Sequence, residues 1–178
     1  HLVASLTRLA DAMEAIRHGD YDTPVRDLTR ADEVGQIARG VAAFSNTLRD
    51  LQMAKSRIEH LALHDQLTNL PNRRALQDHL SQCLRDVQTT GRRAAVLHVD
   101  LDRFKQINDL LGHAAGDEIL RHAARAMQAC TGPKDMTARI GGDEFVIVLR
   151  RAGEPSALET LCHQITEAVS QPIEVSGE

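Results

Sequence analysis

Ala138-Arg139-Ile140-Gly141-Gly142-Asp143-Glu144-Phe145-Val146-Ile147-Val148-Leu149 is the stretch that decides the fold of this chain. Two apolar runs flank a Gly-Gly-Asp-Glu turn, and a glycine pair between β-favouring residues marks a tight hairpin, because such turns require positive φ. Phe145 to Leu149 is apolar at every position, which predicts a strand buried on both faces at the centre of a sheet. A central hairpin carrying two adjacent carboxylates on a tip almost bare of side chains leaves room for a metal ion and a phosphate chain. An ordinary acidic turn has the same composition, so the choice rests on the rest of the chain.

Outward from the hairpin, Ala94 to Val99 reads as a strand that ends in Asp100-Leu101-Asp102, with both aspartates on one face. If that strand neighbours the hairpin, Asp100 and Asp143 form a two-carboxylate magnesium site, with the Leu101 carbonyl as a further ligand. Magnesium prefers oxygen ligands and keeps positions open for phosphate, and paired ions stabilise the attacking and leaving oxygens of phosphoryl transfer. The competing role is to cap the following helix, which aspartate does well and which is the preferred reading for Asp102. Phe104 to Leu111 and Glu118 to Met127 read as helices separated by Gly112 and Gly116. Upstream, Leu67 to Arg74 breaks a helix at Pro71 and restarts it with Leu80, Leu84 and Val87 as the buried face. Downstream, Leu158, Leu161, Ile165 and Val169 mark an amphipathic helix. The order strand, helix, helix, strand, strand, helix describes an α/β domain with a central, largely antiparallel sheet.

Composition narrows the partners. Of 178 residues, 42% are hydrophobic and 26% charged, as in folded globular proteins, and aromatic content of 2% argues against a base-stacking nucleic-acid surface. A net charge of -4 makes a polyanionic backbone an unsuitable partner, while a single nucleotide carried on metal ions stays compatible. Cys83, Cys130 and Cys162 have neither metal-ligand spacing nor an even count, and read as reduced thiols in a cytosolic setting. No membrane-length apolar run or signal-peptide pattern is present, so this piece reads as soluble.

The first sixty residues have a different period. Leu2, Leu6, Leu9, Met13 and Ile16 follow at alternating intervals of four and three, and Val34, Ile37, Val41, Phe44, Leu48 and Leu51 repeat that alternation. A connector of about fourteen extended residues reaches about 45 Å, while a two-heptad helix is only about 22 Å long, so the chain can return and the helices can run parallel. Two short parallel helices cannot close a core alone, which predicts a homodimeric parallel four-helix bundle; an ordinary helical hairpin packed on the next domain is the alternative. After Leu51 the apolar positions shift to Ala54, Ile58 and Leu61. This is either a stammer that couples the bundle to the next domain, or a stripe that fades.

Two families are resembled. The first helix, the connector, and Asp32-Glu33-Val34-Gly35 leading into Phe44-Ser45-Asn46 resemble a HAMP module over residues 1–53, without that module's usual proline early in the first helix. The resemblance implies a transmembrane segment upstream, and hence a parent protein on the cytoplasmic side of a bacterial inner membrane. Residues 54–66 would be a coiled-coil linker. From about Leu61 onward, Leu67-Thr68-Asn69-Leu70-Pro71-Asn72-Arg73, Asp100-Leu101-Asp102-Arg103-Phe104-Lys105-Gln106-Ile107-Asn108-Asp109, Gly112-His113, Gly116-Asp117 and Arg139-Ile140-Gly141-Gly142-Asp143-Glu144-Phe145 together resemble the GGDEF domain of diguanylate cyclases, here assigned to residues 67–178.

That second resemblance implies a palm-like fold and condensation of two GTP into cyclic di-GMP by a homodimer, with Mg2+ or Mn2+, two per active half-site pair. It implies Asp100, the Leu101 carbonyl and Asp143 as metal ligands, and Asp143 and Glu144 as catalytic residues. Asn108 and Asp117 would read the guanine edge, Phe104 and Lys105 would stand at the phosphates, and Gly141 and Gly142 would pass close to nucleotide. His113 beside a helix reads as structural. In many similar enzymes an Arg-x-x-Asp before the hairpin binds product; here Asp135 is present and Gly132 takes the arginine position. The end at Ile173 to Glu178, read as the start of a strand, implies a catalytic domain that is incomplete and inactive as given, and leaves open whether the parent continues into a further domain such as a phosphodiesterase. The alternative function is a silent GTP-binding or relay module acting on another domain.

Overall fold

In the computed structural model, residues 2–150 and 152–173 are described; the strand expected to run into Glu174–Glu178 lies outside them. Two units form, His1–Glu59 and His60–Glu178.

The first unit holds α1 (Leu2–Arg17) and most of α2 (Glu33–Leu63). Asp32 starts α2, its carboxylate accepting the Gly35 N–H at 3.1 Å, as an N-cap must to satisfy an orphan donor. Pairing with Arg30, and then that N–H, hold the Asp32 carboxyl down at about 2. Leu9 packs on Val34 and Ala38, while Met13, Ile16 and Arg17 line a cleft with Phe44 and Leu48, so the two helices run parallel. The connector is fastened by the Tyr21 carbonyl, which accepts Ser45 Oγ at 2.9 Å and Arg49 Nη2 at 2.5 Å.

The expected seam divides in two. Ser5, Leu9, Ala12 and Ile16 are buried, and so are Val34, Ala38 and Ser45, whereas Leu6, Met13, Ile37, Phe44 and Leu51 stand exposed. Small residues occupy half of the buried stripe because they allow the two helices to approach. The exposed half recurs at intervals of seven on each helix.

The second unit orders as α3 (Arg73–Thr90), β1 (Ala95–Asp100), α4 (Phe104–Leu111), α5 (His113–Cys130), β2 (Met136–Gly141), β3 (Glu144–Leu149) and α6 (Pro155–Val169). The described strands form one antiparallel sheet in the order β1-β3-β2, and Phe145 to Leu149 of the central strand are all buried. Phe145, Ile147 and Leu149 meet Leu120, Ala123, Ala124 and Met127 of α5 and Ile165 of α6. Val146 and Val148 meet Ala138 of β2 and Leu76 and Cys83 of α3. Each such large apolar side chain contributes about 1.5–3 kcal/mol by leaving water, which fixes the sheet between its helical layers.

Two expectations are corrected here. Leu84 is 61% exposed, because Leu76, Leu80, Cys83 and Val87 form the stripe facing the sheet and each further residue turns about 100° around the helix. Gly116 does not separate two helices; it is buried inside α5, which begins at His113.

Candidate active site at the hairpin turn

Gly142 and Asp143 make the two-residue turn between β2 and β3, and Gly142 has φ +42°, the left-handed region that glycine enters without strain. The pairing of β2 with β3 shifts register between Arg139 and Gly141. Across the other ladder Asp100 stands opposite Glu144, and the Leu101 N–H donates to the Asp143 carbonyl at 3.3 Å. The strands that carry Asp100 and the hairpin are therefore neighbours, with Glu144 directly facing Asp100 and Asp143 one residue nearer the tip. Asp100 is exposed, and Asp143 and Glu144 are half-buried. Among the described residues no three His, Cys, Asp or Glu side chains gather as a metal cluster. Two carboxylates plus a backbone carbonyl, open to solvent, suit an ion that keeps water and phosphate in its shell, as magnesium does.

Neither Asp100 nor Asp102 caps α4. Arg103 occupies the N-cap in a left-handed conformation with φ +60°, and no side chain caps the helix. Asp102 is thereby displaced one position outside the cap. The first turn, with the half-buried Phe104 and exposed Lys105, presents N–H groups and the positive end of the helix, which favour an anion.

About one turn further along α4, Asn108 Oδ1 is buried without a protein partner. A buried amide oxygen left unpaired costs about 1–3 kcal/mol, so its position fits a polar ligand group. Asp117 stands half-buried on α5, 4.0 Å from Arg121. Gly116 precedes Asp117 and packs against Asn108: a Cβ there would fall 1.9 Å from Asn108 Oδ1 and 3.2 Å from Phe104 Cζ.

The turn is also held from behind by residues to which the sequence patterns assign no role. Arg139 donates to Asp65 at 2.9 Å and to the Gly142 carbonyl at 3.0 and 2.7 Å, and Arg73 donates to the Ile140 carbonyl at 3.2 and 3.1 Å. Burial pushes the Asp65 carboxyl up, but the Thr68 hydroxyl and N–H together with Arg139 outweigh it and leave the group below its ordinary 3.8.

At the opposite side of the unit Asp135 is turned inward. It accepts the Gly132 N–H at 3.0 Å and the Arg150 N–H at 3.1 Å, and the Arg150 guanidinium pairs with Asp86. These residues line a cleft of about 660 Å³ with Arg92 and Lys134.

Comparison with known proteins identifies the family. Residues 62–178 match the family model "Diguanylate cyclase, GGDEF domain", and residues 1–50 match the HAMP domain. The chain belongs to the GGDEF family. Diguanylate cyclase TpbB of Pseudomonas aeruginosa is 34% identical over 180 residues, covering 98% of this chain and 41% of TpbB. The bifunctional diguanylate cyclase/cyclic di-GMP phosphodiesterase MucR of the same species is 43% identical over 126 residues, 71% of this chain and 18% of MucR. The chain thus spans less than half of either relative. Among solved structures, the GGDEF domain of TpbB superposes with TM-score 0.61 at 41% identity, covering 64% of this chain and 66% of that one. The coiled coil and GGDEF domain of DgcB from Caulobacter crescentus, in complex with c-di-GMP, superposes with TM-score 0.67 at 28% identity, covering 72% and 67%. No helix among the described residues of this GGDEF protein is long and apolar enough to cross a membrane.

Proposed function

We propose that the protein of which this chain is part is a diguanylate cyclase in which a HAMP-like dimer module controls a GGDEF domain. The observation that carries this is the adjacency of Asp100, Glu144 and Asp143 beside an uncapped helix start, with the unpartnered Asn108 Oδ1 about one turn further along that helix. Each subunit holds one GTP. The 3'-hydroxyl of each attacks the α-phosphate of the other, forming two O–P bonds and releasing two pyrophosphates. Asn108 and Asp117 bind guanine, the carboxylate accepting from the ring N–H and amino group that adenine does not present in that pattern. The first turn of α4 at Phe104 and Lys105 receives the phosphates, and Gly141 and Gly142 let the backbone pass close to them. Asp100, Asp143 and the Leu101 carbonyl would hold Mg2+ or Mn2+, two per active half-site pair, with Glu144 in support. Bound there, such an ion would supply charge stabilisation for the attacking and leaving oxygens. In this reading Asp143 also takes the hydroxyl proton, directly or through water.

One subunit completes only half of the reaction, so dimerisation is part of the function. The exposed Leu6, Met13, Ile37, Phe44 and Leu51 supply the second seam of a parallel four-helix bundle, and the last part of α2, from residue 54 to Leu63, carries its geometry onward. In this reading the parent is tethered to the inner membrane by a preceding segment and works on its cytoplasmic side. Nucleotide chromatography after incubating the full-length protein with GTP and magnesium tests it. Cyclic di-GMP is expected from the unmodified protein and none from Asp143→Ala, whereas Asp117→Ala chiefly weakens GTP binding and discrimination against ATP. Full activity in Asp143→Ala would remove the assignment.

A further inference from the structure

The Gly-Gly-Asp-Glu turn has almost no side chains to pack, and Gly141 and Gly142 are exposed, so something outside the turn must fix its shape. Its carbonyls are fixed. The Ile140 carbonyl takes both Arg73 Nε and Nη2, the Gly142 carbonyl takes both Arg139 Nε and Nη2, and the Arg139 N–H donates to the Pro71 carbonyl at 2.9 Å. Arg139 Nη1 then reaches Asp65 Oδ1, which also accepts the Thr68 N–H at 2.9 Å and hydroxyl at 2.7 Å.

The loop supplying these partners is tied equally firmly to the last turn of α2. The Asn72 N–H donates to the Leu63 carbonyl at 2.8 Å, Asn72 Nδ2 donates to the Ala62 carbonyl at 2.9 Å, and His64 bridges to Pro71. Asn72 Oδ1 caps α3 at the same time. Every one of these groups lies in the second unit, so the path from Ala62 to Gly142 is continuous within one body.

We propose that the Asp65–Arg73 loop is a relay that transmits the position of the last turn of α2 to the catalytic turn. Arg139 and Arg73 are positioning residues in it: their guanidinium groups bond the Ile140 and Gly142 carbonyls and Asp65, and they set where Asp143 and Glu144 project. The side chains of Arg139 and Asp65 are only 12% and 26% exposed, so their pairing is sheltered from solvent competition. A lysine at 139 would keep the charge and lose the planar fork that serves Asp65 and Gly142 together. A small misplacement of reacting groups lowers turnover far more than it lowers substrate binding.

This inference rests on the cyclase reading above, and its test separates the two. In the full-length protein, kcat and KM for GTP are measured for Arg139→Lys, Arg139→Ala and Asp65→Ala, together with amide hydrogen exchange over residues 61–73 and 139–145. Arg139→Lys is expected to lower kcat about tenfold or more with KM within about twofold, while exchange accelerates in the turn and in the loop and the rest of the sheet stays protected. Asp65→Ala acts in the same direction, and the Asp65→Ala/Arg139→Lys double variant is little worse than the worse single one, since the residues act as one unit. Unaltered kcat in both Arg139 variants overturns the relay, and so do independent, multiplying effects in the double variant. If the unmodified protein makes no cyclic di-GMP, the cyclase reading fails and the exchange arm decides alone: unchanged exchange of the turn in Asp65→Ala and Arg139→Lys overturns the relay. Should Arg139→Ala fail to fold, the lysine variant and Asp65→Ala carry the same comparison.

Discussion

Gly116 and Asn108 are in contact so close that no side chain fits between them: a Cβ on Gly116 would stand 1.9 Å from Asn108 Oδ1. Gly116 is buried and helical, so neither the helix backbone nor solvent can absorb the clash. The amide must turn away, and Phe104 Cζ, 3.2 Å from the same point, blocks one direction. Gly116→Ala is therefore expected to raise KM for GTP by about tenfold or more, the equivalent of one lost hydrogen bond to the base, while alanine's better helix propensity keeps the domain folded. Steady-state kinetics with circular dichroism checks it, and an unchanged KM would detach Asn108 from guanine binding.

The exposed half of the helical seam leads to a second expectation. Phe44 is 51% exposed on a single chain and lies seven residues from both Ile37 and Leu51, which are exposed as well. If a second copy covers this stripe, Phe44→Asp places two charges in a closed apolar seam, at a cost of several kcal/mol for each. Sedimentation should then show a shift toward monomer, with cyclase activity per subunit falling as the protein dissociates. A dimer of unchanged strength would remove the seam from the interface.

How much of this the sequence carried depends on what kind of signal each feature leaves. The hairpin was legible because a glycine pair and five consecutive apolar residues admit few other structures, and β1 followed from its run into Asp100. The helix pair was half legible: Leu9, Ile16 and Val34 stand in the heptad, but Ser5, Ala12, Ala38 and Ser45 are buried without any hydrophobic signature. Gly116 looked like a helix breaker because sequence shows a missing side chain and not what takes its place. The bonds from Arg73 and Arg139 could not be read at all. Their partners lie 67 and 74 residues away, and one of them is a backbone carbonyl that every residue possesses. The motifs containing them could have raised the question, since arginine beside a glycine-rich turn has few neighbours to bind except backbone.

Asp65 gives a dependence on acidity. Its carboxyl titrates below the ordinary 3.8 in the folded protein, since Thr68 and Arg139 overcome the effect of burial. A depressed folded value means that the charged form stabilises the fold at all pH values above 3.8, and that this contribution disappears as pH falls through the lower folded value. Thermal midpoints of the unmodified protein and Asp65→Asn should thus differ by a constant amount from neutrality down to about pH 5 and converge in stronger acid. Parallel curves throughout would show that the Asp65 charge contributes nothing.

Product feedback is the last expectation, and it turns on Gly132 and on the bonds that Asp135 already makes. Similar enzymes grip cyclic di-GMP with an arginine three residues before an aspartate, and the arginine position here is Gly132. Lys134 is displaced along the chain and offers a point charge instead of a planar fork. Asp135 is not waiting for a ligand, because its two oxygens accept the Gly132 and Arg150 N–H groups, and the nearby Arg150 guanidinium is engaged by Asp86. A ligand would have to forgo a charge-assisted bidentate contact, worth about a hundredfold or more in affinity, and also displace bonds that close the β2 and β3 ends of the sheet. Gly132→Arg alone should restore little, since even a Cβ at 132 lies 3.0 Å from Asp135 Oδ2. Titrating cyclic di-GMP against the active full-length protein is expected to show no inhibition through this cleft. Micromolar inhibition that vanishes in Asp135→Ala would show instead that the cleft binds product, with Arg150 released from Asp86 to do so.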